Sequence, residues 1–153
     1  MGPLTLSLLI GVLLMVVSPV QALDTSAGFG LQDRALFQET VDYTLTNQAG
    51  GDFHDQNLAN TSFAGAVGRN ADFRGANLHG AILTQGAFAE ADFRGADLSD
   101  ALMDRADFVG TDLRDAVLTG IIASGSSFTN ARIDGADFSD ALLDRDDQRR
   151  LCR

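Results

Sequence analysis

The side chains that most often bind metals or act as nucleophiles are few in this sequence and lie far apart. The two histidines are His54 and His79, and the single cysteine is Cys152. Two separated histidines without a third ligand do not form a metal site. A lone thiol makes no internal disulfide, so Cys152 is either free or paired with another molecule. The sequence therefore predicts no bound metal.

Residues that would form a catalytic centre do not come together either. No Ser/His/Asp or Cys/His set can be assembled, and the 19 aspartates are spread along positions where we expect solvent and no raised pKa. The GFG segment at 28–30 precedes no strand–helix unit that would bind a nucleotide phosphate. The calcium-binding G-G-x-G-x-D nonapeptide does not occur. The sequence predicts neither an enzyme nor a cofactor.

The composition is acidic and poor in helix formers. The 153 residues include 21 acidic and 11 basic side chains, which give a net charge of −10. A negative surface disfavours nucleic acid and anionic membranes as direct partners. Asp and Gly are poor helix formers, and they are abundant, with 19 Asp and 16 Gly. These numbers argue against a helical domain.

The N-terminal segment has the pattern of a secretory leader. The apolar run 4–17 is shorter than the roughly 20 residues that span a bilayer, and small residues follow it up to Ala22. We expect cleavage after Ala22, so that residues 1–22 are a signal peptide and the exported chain begins at Leu23. The alternative is a retained interfacial anchor. After cleavage we expect no contact with the membrane.

A five-residue repeat occupies most of the remaining chain. ADFRGANL at 71–78 returns as ADFRGADL at 91–98, and residues 51–145 divide into 19 blocks of five without an insertion. The third letter is Phe, Leu, Met or Ile in 17 blocks, and the first letter is Ala in 12. Gly68 and Ala123 are the exceptions at the third position. This period is neither that of a helix nor that of a simple strand.

The repeat has a direct physical interpretation. In an extended segment the first and third residues point to one side and the second and fourth to the other. The fifth position, rich in Gly, Asp and Asn, turns the chain. Four such segments close a square coil of twenty residues, which explains the return of the phrase after twenty. A small first residue is needed because a larger one would overpack an interior that four large side chains already fill.

The blocks resemble the A-(D/N)-L-x-x consensus of pentapeptide-repeat proteins. ADFRG, ANLHG and ADLSD are close copies of it, and the resemblance covers residues 51–145. It implies an all-β fold, a right-handed quadrilateral β-helix of nearly five coils. With the leader, the chain is similar to exported members of the thylakoid lumen of cyanobacteria and chloroplasts, and the periplasm is the alternative location.

The ends of the repeat need covers, because open strand edges invite association. We expect residues 23–50 to form a short N-terminal cap and residues 146–153 to be a C-terminal tail. Within the cap, residues 33–46 favour a short helix, and a strand is the alternative for its last part. At Gly68 and Ala123 we expect gaps in the core, or bulges where Val67 or Ile122 turns inward.

Outward positions are where function is to be sought. One side carries aspartates at the second position and arginines at the fourth, which we interpret mainly as solvated surface pairs. On another side the second-position column contains four aliphatic residues in a row, a pattern that either reflects ladder packing or marks a binding surface. This candidate partner-binding column, here named the aliphatic strip, consists of Ile82, Leu102, Ile122 and Leu142.

Two classes of function fit these features. The first is a non-enzymatic exported module that presents a rigid face to a protein partner. The second, implied by DNA-mimicking members of the resembling family, is a topoisomerase inhibitor, and it applies if the leader is uncleaved and the protein stays cytosolic. End-to-end self-association through poorly capped coils is a further expectation about partners.

Overall fold

The computed structural model describes residues 41–151, so the predicted leader and Cys152 lie outside the described residues. A bridge residue and a two-residue turn recur every five residues through nearly all of this range. Two short strands, β1 (Ile122–Ala123) and β2 (Leu142–Leu143), pair in parallel. They are followed by one helix, α1 (Arg145–Leu151).

Parallel bridges connect each second-position residue with the residue twenty positions later, as in the pair Asp52 and Asp72. Two backbone hydrogen bonds accompany this bridge. The N–H of Phe53 donates to the carbonyl of Asp72 at 2.7 Å, and the N–H of Asp72 donates to the carbonyl of Gly51 at 2.8 Å. The chain is therefore organised in layers of twenty residues, each with four turns and each hydrogen-bonded to the next.

Every fifth residue from Leu45 to Asp140 adopts a left-handed backbone conformation, with φ between 55° and 73°. The N–H of the residue after the left-handed one closes nearly every turn, as where Ala76 donates to the carbonyl of Phe73 at 3.1 Å. A positive φ at the third residue of a turn is the requirement of type II geometry. Gly, Asn and Asp tolerate this conformation best, which explains their frequency at the fifth position.

The first- and third-position side chains form a continuous core between Phe53 and Phe128. Aromatic rings of successive layers stack on one another. The ring centroids of Phe53 and Phe73 are 4.8 Å apart, and those of Phe73 and Phe93 are 4.7 Å apart. The expected inward columns, with Phe above Phe at a spacing of twenty, are therefore present.

The expected bulge at Gly68 does not form. Val67 points outward, and the ring of Phe88 in the next layer lies directly against the glycine. A Cβ atom at Gly68 would be 2.6 Å from Cδ1 of Phe88, which is closer than real contacts allow. The glycine is therefore required by the position of the ring.

The expected gap at Ala123 is also absent, for a different reason. Ile122 remains on the surface, with 36% of its area exposed, whereas Ile121 is completely buried. The large residue of this block thus occupies the first position and the small residue the third. This exchange keeps the volume of the core nearly constant, which packed interiors tolerate.

The layered structure begins earlier than the sequence indicates. Asp42 bridges to Ser62 and Asn47 bridges to Val67, so residues 41–50 are layered although we expected them in the N-terminal cap. Tyr43 replaces the usual Phe or Leu and stacks on Phe63 with centroids 4.6 Å apart. Residues 41–46 are therefore not helical, and the rest of the expected cap lies outside the described residues.

At the other end, helix α1 occupies most of the predicted tail and begins one residue before it, at Arg145. Its first turn is acidic and its last turn basic, the arrangement that a helix dipole favours. Leu151 packs against the core of the last layer, where the large inward side chains are only half-buried. A cavity of about 320 Å³ remains beside the helix, lined by residues that include Phe138, Leu143 and Leu151.

The exchange at Ile121 and Ala123 makes a testable prediction about packing. Ile121→Ala should lower the free energy of unfolding by about 2–5 kcal/mol because it leaves a cavity. Ala123→Leu should cost about 1–3 kcal/mol because it overpacks the site. The double variant restores the usual block pattern and should unfold at a lower cost than the sum of the two, as measured by urea denaturation. Strictly additive costs would show that the two side chains do not share the same space.

Candidate functional site

The aliphatic strip is continuous in the structure. Ile82 bridges to Leu102, Leu102 to Ile122, and Ile122 pairs with Leu142 in the parallel strands β1 and β2. At the spacing of hydrogen-bonded strands the row is about 14 Å long. Leu102 is 37% exposed and Leu142 is 61% exposed, while Ile82 is half-buried. All four predicted residues are therefore neighbours on one surface.

The backbone beneath the strip is fully engaged with neighbouring layers. The N–H of Leu102 donates to the carbonyl of Ala81 at 2.9 Å, and the carbonyl of Leu102 accepts from Leu83 at 2.7 Å. The N–H of Ile122 donates to the carbonyl of Ala101 at 3.1 Å. The strip thus offers side chains to a partner and no free backbone groups at these residues.

Aspartates border the strip at its two leucines. Each leucine has an aspartate two residues before it and another two residues after it. The two aspartates that follow accept backbone N–H groups: Asp104 from Ser124 at 2.9 Å, and Asp144 from Gly125 at 2.7 Å. Two arginines, Arg105 and Arg145, follow these aspartates in the chain. The four bordering carboxylates are Asp100, Asp104, Asp140 and Asp144.

A different face carries a ladder of paired charges. Arg74 contacts Asp72 in its own layer through Nε at 2.8 Å and Nη2 at 2.5 Å. Its Nε also lies 3.9 Å from Oδ2 of Asp92 in the next layer. The same arrangement recurs with Arg94, whose Nε lies 3.8 Å from Oδ2 of Asp112. Each arginine therefore offsets the repulsion between aspartates that the layer register places above one another.

Arginines of the ladder lower the pKa of two of its carboxylates, those of Asp72 and Asp112. Hydrogen bonds from the Arg74 side chain lower the pKa of Asp72 from 3.8 to about 2, and this bond also raises the pKa of Arg74. Hydrogen bonds from Arg114 lower the pKa of Asp112 in the same way. These four groups therefore remain ionised at neutral pH.

The histidines do not meet. His54 lies 3.1 Å from Asp55, and His79 contacts Ser99 at 2.9 Å on another face. Among residues 41–151 no three side chains of the metal-binding types are grouped. The same part of the chain contains no helix that is long and apolar enough to cross a membrane.

The ladder makes stability depend on pH. The depressed pKa of Asp72 means that its contribution is present above pH 3.8 and is lost as the pH falls toward 2. Arg74→Gln should remove much of this dependence, so the melting temperature of the variant should fall less between pH 4 and 2. An Arg69→Gln control removes the same charge outside the ladder and should retain the acid-sensitive profile. Identical acid profiles for all three proteins would contradict this account.

Comparison with known proteins identifies the repeat. The family model for pentapeptide repeats matches residues 52–85 and 87–120, and the family model contains eight copies of the repeat. A pentapeptide repeat protein from the cyanobacterium Cyanothece 51142 is 23% identical with a TM-score of 0.60, and the alignment covers 61% of this chain and 64% of that one. A pentapeptide repeat protein from Nostoc Pcc 7120 is 22% identical with a TM-score of 0.55, covering 67% and 84% of the two chains.

A pentapeptide repeat protein from the Arabidopsis thaliana thylakoid lumen is 35% identical with a TM-score of 0.46, and the alignment covers 72% of this chain and 77% of that one. None of the curated proteins matches the sequence. The matched repeats coincide with the layers described above. The chain belongs to the pentapeptide-repeat family.

Proposed function

We propose that this protein is an exported, non-enzymatic interaction module that presents the aliphatic strip to a protein partner. In this proposal residues 1–22 are removed on export, and the layers close into a right-handed quadrilateral β-helix that serves as a rigid support. The observation that carries the proposal is the strip itself, a contiguous row of four aliphatic side chains of which three are exposed.

The other faces support this choice by contrast. The corresponding column of the charged face begins with four aspartates, and the columns of the two remaining faces each hold one valine among mostly polar residues. Val67 and Val117, exposed to 37% and 39%, are the largest apolar members of those two columns, and the smaller Ala87 is paired with Val67. Scattered apolar residues are normal on a surface, whereas a contiguous row is typical of interaction sites.

The proposed cellular location of the protein is based on its N-terminal leader. A short apolar run followed by small residues at Val20–Ala22 is the pattern that signal peptidases cut. We propose the thylakoid lumen as the destination, with the periplasm as the alternative. The competing function, DNA mimicry at a topoisomerase, requires a cytosolic protein and a continuous negative field. The arginines paired with Asp72, Asp92 and Asp112 interrupt that field on one face.

Export predicts a defined new N-terminus. When the whole chain is produced in a cyanobacterium, the protein recovered from the lumen or periplasm should begin at Leu23, as measured by intact mass. An Ala22→Lys variant should remain uncleaved, because a large charged residue does not fit the cleavage site. Recovery of an intact chain beginning at Met1 in the cytosol would contradict export and favour the competing function.

The binding function is tested by capture from soluble lumen and periplasm extracts with the exported chain as bait. A variant with Ile82, Leu102 and Leu142 changed to Asn should lose the captured protein. The matched control changes Val67 and Val117 to Asn, because these valines are about as exposed but lie on other faces. Circular dichroism first verifies that all baits are folded. If the variant with three Asn substitutions still captures the protein, the partner binds elsewhere and the proposal is contradicted.

A further inference from the structure

We propose that the element that binds the aliphatic strip is a cationic amphipathic α-helix of a different protein, lying along the axis on which the layers stack. This inference rests on the proposed function and adds the chemistry of the partner. It follows from three properties of the strip: its engaged backbone, its spacing and its charged border.

The engaged backbone excludes strand addition. A peptide that binds as an added strand needs free N–H and C=O groups on its target. At the strip these groups are used: Leu142 donates to the carbonyl of Ile121 at 2.8 Å, and the carbonyl of Ile122 accepts from Met103 at 2.7 Å. The partner must therefore satisfy its own backbone and contribute side chains alone. An α-helix meets both conditions, because its hydrogen bonds are internal.

The spacing of the strip suits a helix. Successive aliphatic side chains are about 4.8 Å apart, and successive turns of a helix rise by about 5.4 Å. Over the three intervals from Ile82 to Leu142 the mismatch accumulates to only about 2 Å, which is less than half of one interval. Four turns of a helix with an apolar stripe thus place one side chain against each layer.

The charged border selects a cationic helix. Asp100 and Asp104 lie two residues before and after Leu102, and Asp140 and Asp144 lie in the same positions around Leu142. Arg105 and Arg145, which follow Asp104 and Asp144, leave an excess of two carboxylates. Lysines or arginines beside the apolar stripe of a partner helix would face these aspartates. A second copy of this chain would bring the same acidic border and a net charge of −10, so self-association through the strip is disfavoured.

The test uses three labelled synthetic peptides of eighteen residues and the full chain purified after export. The first peptide has leucines on one helical face with lysines beside them. The second replaces the lysines by glutamates, and the third scrambles the order of the first. Binding is measured by fluorescence anisotropy at low and high salt, and sedimentation measures self-association of the protein.

Four proteins are compared. The border variant, Asp104→Asn/Asp144→Asn, keeps the side-chain oxygens that accept backbone N–H groups but removes two negative charges beside the strip. Asp97→Asn/Asp137→Asn is the matched control, because these aspartates also accept backbone N–H groups, from Ser99 and Ser139, on another face. The strip variant, Leu102→Asn/Ile122→Asn, removes the centre of the strip. The unchanged chain is the reference.

The patterned lysine peptide should bind the unchanged chain, and added salt should weaken it. Its affinity should fall about fivefold with the border variant, less than about twofold with the matched control, and about tenfold or more with the strip variant. Equal binding of the lysine and glutamate peptides, equal binding of the scrambled peptide, or no binding would overturn the inference. A dimer that the strip variant abolishes would also overturn it, because a second copy would then occupy the strip.

Failure of this inference is distinguishable from failure of the proposed function. If extract capture depends on the strip while no peptide binds, the interaction module stands and its partner is not a cationic helix. If capture is independent of the strip, both proposals fall.

Discussion

The hydrogen-bonded register of twenty residues is the constraint on which every other feature depends. Because each second-position residue pairs with the one twenty places later, the register determines which side chains are stacked on one another. The register places Phe53 above Phe73, and it also places Asp72 above Asp92, which is unfavourable until Arg74 lies between them. A single inserted residue would shift the later part of each column by one position and move core side chains to the surface.

The same constraint explains how the aliphatic strip arises. Layers that are bonded above and below hold their outward side chains at fixed intervals, so one aliphatic residue per layer becomes a row rather than a scatter. The turns that end each side then determine what borders the row. At Leu102 and Leu142 those turns carry aspartates. A face of this kind is ordered before it meets a partner, which limits the entropy lost on binding.

Much of this arrangement is predictable from the sequence because the backbone is periodic. The position of a residue in its five-residue block determines whether its side chain points inward or outward. The inward columns and the strip were predicted on that basis. What was missed depends on neighbours in three dimensions. Ile121 and Ala123 exchange roles within one block, and Gly68 makes room for a ring in the next layer. Residues 41–50 do not match the repeat consensus, so the sequence did not predict that they are layered. They join the layers because backbone hydrogen bonds do not depend on particular side chains. Helix α1 is too short to show a period.

The most direct measurement of the central claim, that the register assembles the strip, is electron paramagnetic resonance of spin labels placed within it. In a Cys152→Ser background, nitroxides at Leu102→Cys and Ile122→Cys should be separated by roughly the strand spacing of about 5 Å and should show strong dipolar broadening. Labels at Leu102→Cys and Asp112→Cys, on different faces, provide the comparison and should show much less. If the spectrum of the first pair equals the sum of its single-label spectra, the two side chains are not neighbours and the strip does not exist.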